Sequence, residues 1–129
     1  MPEEPSKPAV LVAKCLSGAP CRYHGYAAPP RRALLERLRA RHEIVFFCPE
    51  EAAGLPTPRP PTRWREGRLI AAGQDVTETF IRGAQLTLKL ALERQIRKFY
   101  GLRFSPSCDP RTGVTARLLL RHEIRCLFG

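Results

Sequence analysis

The stretch AVLVAKC, Ala9–Cys15, decides the fold. Five apolar residues in an unbroken row, with β-branched Val10 and Val12 among them, are expected of a strand buried on both faces, the kind found in parallel sheets. EIVFF at 43–47 repeats the pattern. Between the two, PPRRALLERLRAR at 29–41 opens on prolines suited to a helix start. There Leu34, Leu35 and Leu38 make an apolar stripe beside Arg31, Arg37 and Arg41.

Further along, CPEEAAGLPTPRPPTRW at 48–64 reads as a loop, because its five prolines stiffen it and bar it from a sheet interior. DVTE at 75–78 suits a helix start, with Asp75 at the N-cap and Glu78 three positions on. The helix runs to about Arg94, with Phe80, Ala84, Leu88 and Leu92 at helical spacing. The segment 97–103 fits either more helix or a strand containing Gly101, and we read it as a strand. TGVTARLLLRHE at 112–123 supplies a further helix and IRCLF at 124–128 a last strand. The order β-α-β-loop-α-β-α-β predicts an α/β protein, a small parallel sheet with flanking helices. A chain of 129 residues has the size of a single domain. We expect it to span 9–129 behind a flexible, proline-rich tail at 1–8.

The chain is 43% hydrophobic and has no apolar run near the roughly 18 residues of a membrane span. Its first residues, MPEEPSKPAV, do not resemble an export signal, so a soluble, cytoplasmic protein is expected, with no membrane partner. The net charge is +10, from 22 Lys+Arg against 12 Asp+Glu. Most of the cations are arginines, which suit phosphate and point to nucleic acid. An Arg- and Pro-rich composition typical of a GC-rich or heat-adapted genome would leave the same excess.

Five cysteines, an odd number without an export signal, are not a disulfide framework. Cys15, Cys48 and Cys108 each follow an expected strand closely, and in a parallel sheet those points share one edge, where ligand sites of open α/β folds form. Cys126 falls inside the last strand and reads as buried filler. Three thiolates without an obvious fourth fit either a zinc site with one open position or an iron–sulfur cluster with one iron not held by protein. Glu50 stands two residues after Cys48, and Ser105 and Ser107 precede Cys108. They offer an acid or base and hydroxyl donors, although turn capping would use the same residue types.

Taken in order, CLSGAPCRYHG at 15–25, CPEEAAGLPTPRPP at 48–61, GQDVTETFIRGA at 73–84, SPSC at 105–108 and GVTARLLLR at 113–121 resemble the signature blocks of the thiouracil desulfidase family. They span nearly the whole chain, which is most similar to the stand-alone, single-domain form. The resemblance implies a Rossmann-like α/β domain and a 4Fe-4S cluster with three cysteine ligands, Cys15, Cys48 and Cys108, and one open iron. It implies catalytic roles for Glu50 and Ser105, and none as ligand for Cys21. The implied reaction turns C=S into C=O without net electron transfer: the open iron takes the thiocarbonyl sulfur, Glu50 activates water, and Ser105 helps move a proton as hydrosulfide leaves. The implied substrate is 4-thiouridine in tRNA. Free thiouracil or thiolated nucleosides are an alternative, and a non-catalytic, zinc-containing RNA-binding module is another.

Arg22, Tyr23, Ser107, Arg63 and Arg65 are the expected substrate contacts, with Arg31, Arg32, Arg59 and Arg68 flanking the entrance and Trp64 placed to stack on a base. Three residues depart from the family's pattern: Lys14 replaces a small residue, His24 an acidic one and Asp109 a glycine. A segment often present between SPSC and GVTA is missing.

Overall fold

The computed structural model describes residues 7–20, 24–25 and 29–129. Its centre is strand β1 (Ala9–Ala13), in which Val10, Leu11 and Val12 are completely buried, as a strand covered on both faces must be. Helix α1 (Arg32–Arg39) buries Leu34, Leu35 and Leu38 and returns the chain to β2 (Glu43–Phe47), parallel to β1 from the Ala9–Glu43 to the Ala13–Phe47 pair. After a short helix α2 (Pro49–Ala52), strands β3 (Thr62–Arg65), β4 (Arg68–Ala71) and β5 (Gln74–Asp75) lead into the long helix α3 (Thr77–Glu93). Strand β6 (Lys98–Gly101), helix α4 (Val114–Arg121) and β7 (Arg125–Phe128) complete the domain.

The main sheet has the order β2-β1-β6-β7, all parallel. Because strand-crossover-strand connections are right-handed, α1 covers one face of the sheet while α3 and α4 cover the other. Helices α3 and α4 pack against each other accordingly. The small Rossmann-like parallel sheet with flanking helices is therefore the observed architecture. Beta1 sends its crossover toward β2, and β6 sends its crossover the other way, toward β7. The carboxyl ends of β1 and β6 thus flank the point where the winding reverses, where ligands bind in such sheets.

Three local expectations are corrected. The proline-rich segment does not end as a loop, since β3, β4 and β5 form a separate antiparallel sheet. Its hairpins turn at Glu66–Gly67 (φ 51 and 78) and Ala72–Gly73 (φ 50 and 77), pairs of positive φ that match the twist of two-residue hairpins. Asp75 is not the N-cap of α3, because it is taken up in β5; its carboxylate still accepts from the Thr77 N–H at 3.0 Å. Leu92 is 57% exposed, and the buried stripe of α3 runs instead through Phe80, Ala84, Thr87 and Ala91. Steps of four residues overshoot a 3.6-residue turn, so a stripe counted in fours drifts off the buried face within three steps.

The start of the chain also differs in detail. The expected tail at 1–8 falls largely outside the described residues, but Lys7 and Pro8 are held against the domain. Lys7 Nζ donates to the Arg39 carbonyl at 3.0 Å, and the Glu43 N–H donates to the Pro8 carbonyl at 3.0 Å. No helix among the described residues is long and apolar enough to cross a membrane.

Candidate functional site

Cys15 lies in a 3-10 turn, Lys14–Ser17, that follows β1 directly, and Cys48 immediately precedes α2 at the end of β2. Cys108 lies in the loop between β6 and α4. All three line one cavity of about 250 Å3 at the switch point, together with Glu50, Arg59, Arg103, Phe104 and Ser105. Backbone packing sets this placement. A Cβ on Gly101 would overlap the Cys108 carbonyl oxygen, so only glycine at the end of β6 lets the cysteine loop lie back on its own strand. A Cβ on Gly83 of α3 would overlap the Pro49 carbonyl oxygen in the same way. Arg82 then fixes the far end of α2 by donating to the Ala53 carbonyl at 2.8 Å. Helix α2, which carries Glu50 into the cavity, is thus clamped on α3.

Ser105 helps to build the loop that carries Cys108 and also lines the cavity. Its Oγ accepts from the Cys108 N–H at 3.0 Å and from the Ser107 N–H at 3.3 Å, so the hydroxyl hydrogen is what it can still offer to the cavity. Ser107, expected to touch substrate, is 1% exposed and shares a 2.8 Å hydrogen bond with the Thr115 hydroxyl of α4; it is not part of the cavity wall. Asp109, also buried, holds the loop together. Its carboxylate accepts from the N–H groups of Phe104 at 2.6 Å, Arg111 at 2.8 Å and Thr112 at 3.2 Å. Burial alone would push this carboxyl up, but those N–H groups outweigh it and hold the carboxyl below its ordinary value.

Electrostatics separate the acidic groups of the cavity. Burial pushes the Glu50 carboxyl up, the charge and hydrogen bond of Arg59 draw it back, and the balance stays above the ordinary 4.5. The partner in that ion pair, Arg59, is buried and also donates to the Pro56 carbonyl and the Thr57 hydroxyl. Arg59, expected among the arginines that flank the entrance, instead lies inside, on the candidate catalytic carboxylate. The Cys108 thiol is pushed far up by burial and by the charges of Glu50 and Cys48, with smaller opposing hydrogen bonds to Ser107 and Ser105. The Cys108 thiol therefore ionises only if a cationic centre compensates it.

Cys15, Cys48, Cys108 and Cys126 form no disulfide. Among the described residues no three His, Cys, Asp or Glu side chains close around one point as a single metal ion would require. A lone zinc would need its sulfurs about 2.3 Å from a common centre. A donor set of three thiols spread around one cavity instead fits a bulkier centre, whose ligands grip different irons.

The remaining expected contacts are dispersed. Arg63 and Arg65 lie exposed on β3, outside every ion pair of the described residues. Trp64 between them is 42% exposed, and the Arg117 guanidinium of α4 stands 5.5 Å from its ring centre. Arg68 is occupied by Asp75 and Glu78. Lys14 lines the cavity and pairs with Glu51 at 3.1 Å. Arg22, Tyr23 and Cys21 lie outside the described residues.

A cavity walled by thiols, a buried carboxylate and a hydroxyl, set at the switch point of a small parallel sheet, defines an α/β protein whose ligand site is built on cysteine. Residues 10–128 match the family described as 2-thiouracil desulfurase, and the chain belongs to that family. It is similar to a solved structure, the [4Fe-4S]-dependent thiouracil desulfidase TudS, with a TM-score of 0.85 and 38% identity over 94% of this chain and 90% of that one. It is also 34% identical to the uncharacterized protein YbbK of Bacillus subtilis (strain 168), over 92% of this chain and 93% of the relative.

Proposed function

We propose that this protein is an iron–sulfur-dependent desulfidase, with Cys15, Cys48 and Cys108 holding a 4Fe-4S cluster, and that its substrate is 4-thiouridine in tRNA. The observation that carries the reading is the meeting of those three thiols with Glu50 and Ser105 around one cavity. Family membership and the likeness to TudS support it. When bound, the cluster supplies an iron not held by the protein, a Lewis acid for the thiocarbonyl sulfur of the base.

The chain's own groups do the proton chemistry. Glu50, its carboxyl raised by burial and held in an ion pair with Arg59, is a general base for the water that attacks the ring carbon. Ser105 has its oxygen engaged by two backbone N–H groups, so it acts as a donor toward the reacting centre. Water adds oxygen to the carbon, the C–S bond breaks, and sulfur leaves as hydrosulfide; no electrons are exchanged.

The choice of tRNA rests on charge. Arg63 and Arg65, outside every ion pair of the described residues, lie at a second, wider cleft of about 630 Å3 that shares Pro61 with the cysteine cavity, and Trp64 lies on the same strand. The test compares thiolated tRNA with 4-thiouridine and free thiouracil. Replacing Arg63 and Arg65 together with Ala should weaken tRNA binding and flatten its log–log salt dependence by about one to two units. Turnover of the small substrates should stay unchanged. A wild-type protein that prefers the free base, with tRNA affinity indifferent to salt, would make it a salvage enzyme instead.

A further inference from the structure

Phe104 lines the cysteine cavity and is nevertheless 87% exposed, far above every other large hydrophobic side chain of the described residues. Its φ of 67 lies in the left-handed region, which an aromatic residue rarely adopts. The chain enforces this conformation. The Phe104 N–H is captured at 2.6 Å by Asp109, whose buried carboxylate also gathers the N–H groups of Arg111 and Thr112. The next N–H, that of Ser105, closes onto the Leu102 carbonyl at 3.3 Å. Nearby Phe128 carries the guanidinium groups of Arg103 at 4.7 Å and Arg111 at 5.3 Å, whereas the Phe104 ring has no aromatic or cationic partner among the described residues. A strained backbone that holds an apolar ring in water beside a reactive cavity needs a reason outside the fold.

We infer that Phe104 is the platform on which the pyrimidine ring of the substrate stacks at the cavity mouth, so that the protein selects a flat aromatic heterocycle. The inference rests on the desulfidase reading above and names how that site recognises its base. Two residues of the same loop would then divide the work: Ser105 addresses the reacting edge of the base, and Phe104 its face. Stacking of this kind accepts any thiolated pyrimidine, free or in a strand, and rejects a saturated ring that cannot lie flat.

The test uses cluster-loaded protein and 4-thiouridine as substrate, with uridine and dihydrouridine as competitive inhibitors. Phe104→Ala should raise KM, and the uridine inhibition constant, by about tenfold, leaving kcat within about twofold. Phe104→Trp should restore both constants, whereas Phe104→Leu, which keeps the bulk and loses the π face, should not. Wild-type protein should bind uridine more tightly than dihydrouridine, and Phe104→Ala should bind the two alike. Phe104→Gly should match Phe104→Ala in KM while melting no lower than wild type, since glycine fits the backbone better. The inference is overturned if Phe104→Ala leaves KM unchanged, if Phe104→Leu works as well as Phe104→Trp, or if Phe104→Ala changes the oligomeric state instead. Wild-type protein inactive on every thiolated pyrimidine would sink the desulfidase reading itself, a separate result.

Discussion

The guanidinium of Arg59 and the carboxylate of Glu50 form an ion pair inside the cavity wall, their side chains only 4% and 14% exposed. Removing one member leaves the other charge buried without compensation, which typically costs about 3–5 kcal/mol. Arg59→Ala should therefore destabilise the protein by about 3 kcal/mol and abolish turnover, because Glu50 loses the partner that holds it and draws its carboxyl down. Adding Glu50→Gln should recover part of the stability and none of the activity. Chemical denaturation of the single and double variants checks this, and additive losses would show that the pair is not coupled.

Cys15→Ala, Cys48→Ala and Cys108→Ala should each lose bound iron, acid-labile sulfide and the brown colour, while Cys126→Ala keeps all three. Cys126 belongs to β7 with its thiol against the Ala116 and Ile124 carbonyls, away from the cavity wall. A full iron complement in any of the first three variants refutes that ligand.

Gly83→Ala should cost about 1–3 kcal/mol through overpacking. Because the new methyl would push on the Pro49 carbonyl, the strain falls on the turn that carries Cys48 and Glu50. Iron should consequently be lost faster to a chelator than from the wild type. A variant of unchanged melting temperature and iron retention would show that α2 is not clamped as described.

Burial pushes the Cys126 thiol up to about 11 from 9.0, because the charged thiolate is less favoured inside than in water. A raised folded value stabilises the fold fully below the unfolded thiol's pKa and loses that contribution as pH rises through the folded one. Cys126 should accordingly alkylate slowly in the native protein at pH 8. Part of the stability should fade between about pH 9 and 11, and that part of the decline should be absent in Cys126→Ala.

Strands β1 and β2 were legible because their apolar runs are unbroken and partly β-branched, whereas β6 offers only Phe99 and Tyr100 before Gly101 and suits a helix as well. The shared direction of parallel strands places Cys15, Cys48 and Cys108 on one edge. The β3–β5 sheet was hidden by its own composition: TRWR is exposed over three of its four residues, so no alternation marks it. The signals that would have revealed it are the X-Gly pairs Glu66–Gly67 and Ala72–Gly73, each set directly between paired ladder residues, Arg65 with Arg68 and Ala71 with Gln74, and easily passed over among the arginines. Arg59 was misplaced because charge alone does not tell an inward guanidinium from an outward one. Only the fold brings it to Glu50, nine positions earlier. Ser107 looked equivalent to Ser105 in SPSC, yet the turn that Ser105 caps directs Ser107 at Thr115.

Beta6 enters the sheet beside β1 by pairing Leu11 with Phe99, residues from opposite ends of the chain. A growing polypeptide therefore exposes Cys15 and Cys48 long before the loop bearing Cys108 has been made. Until β6 docks beside β1, the loop that bears Cys108 has no strand to lie back on. If the three thiols hold a cluster, as proposed above, its assembly requires a nearly complete chain with β6 already docked beside β1.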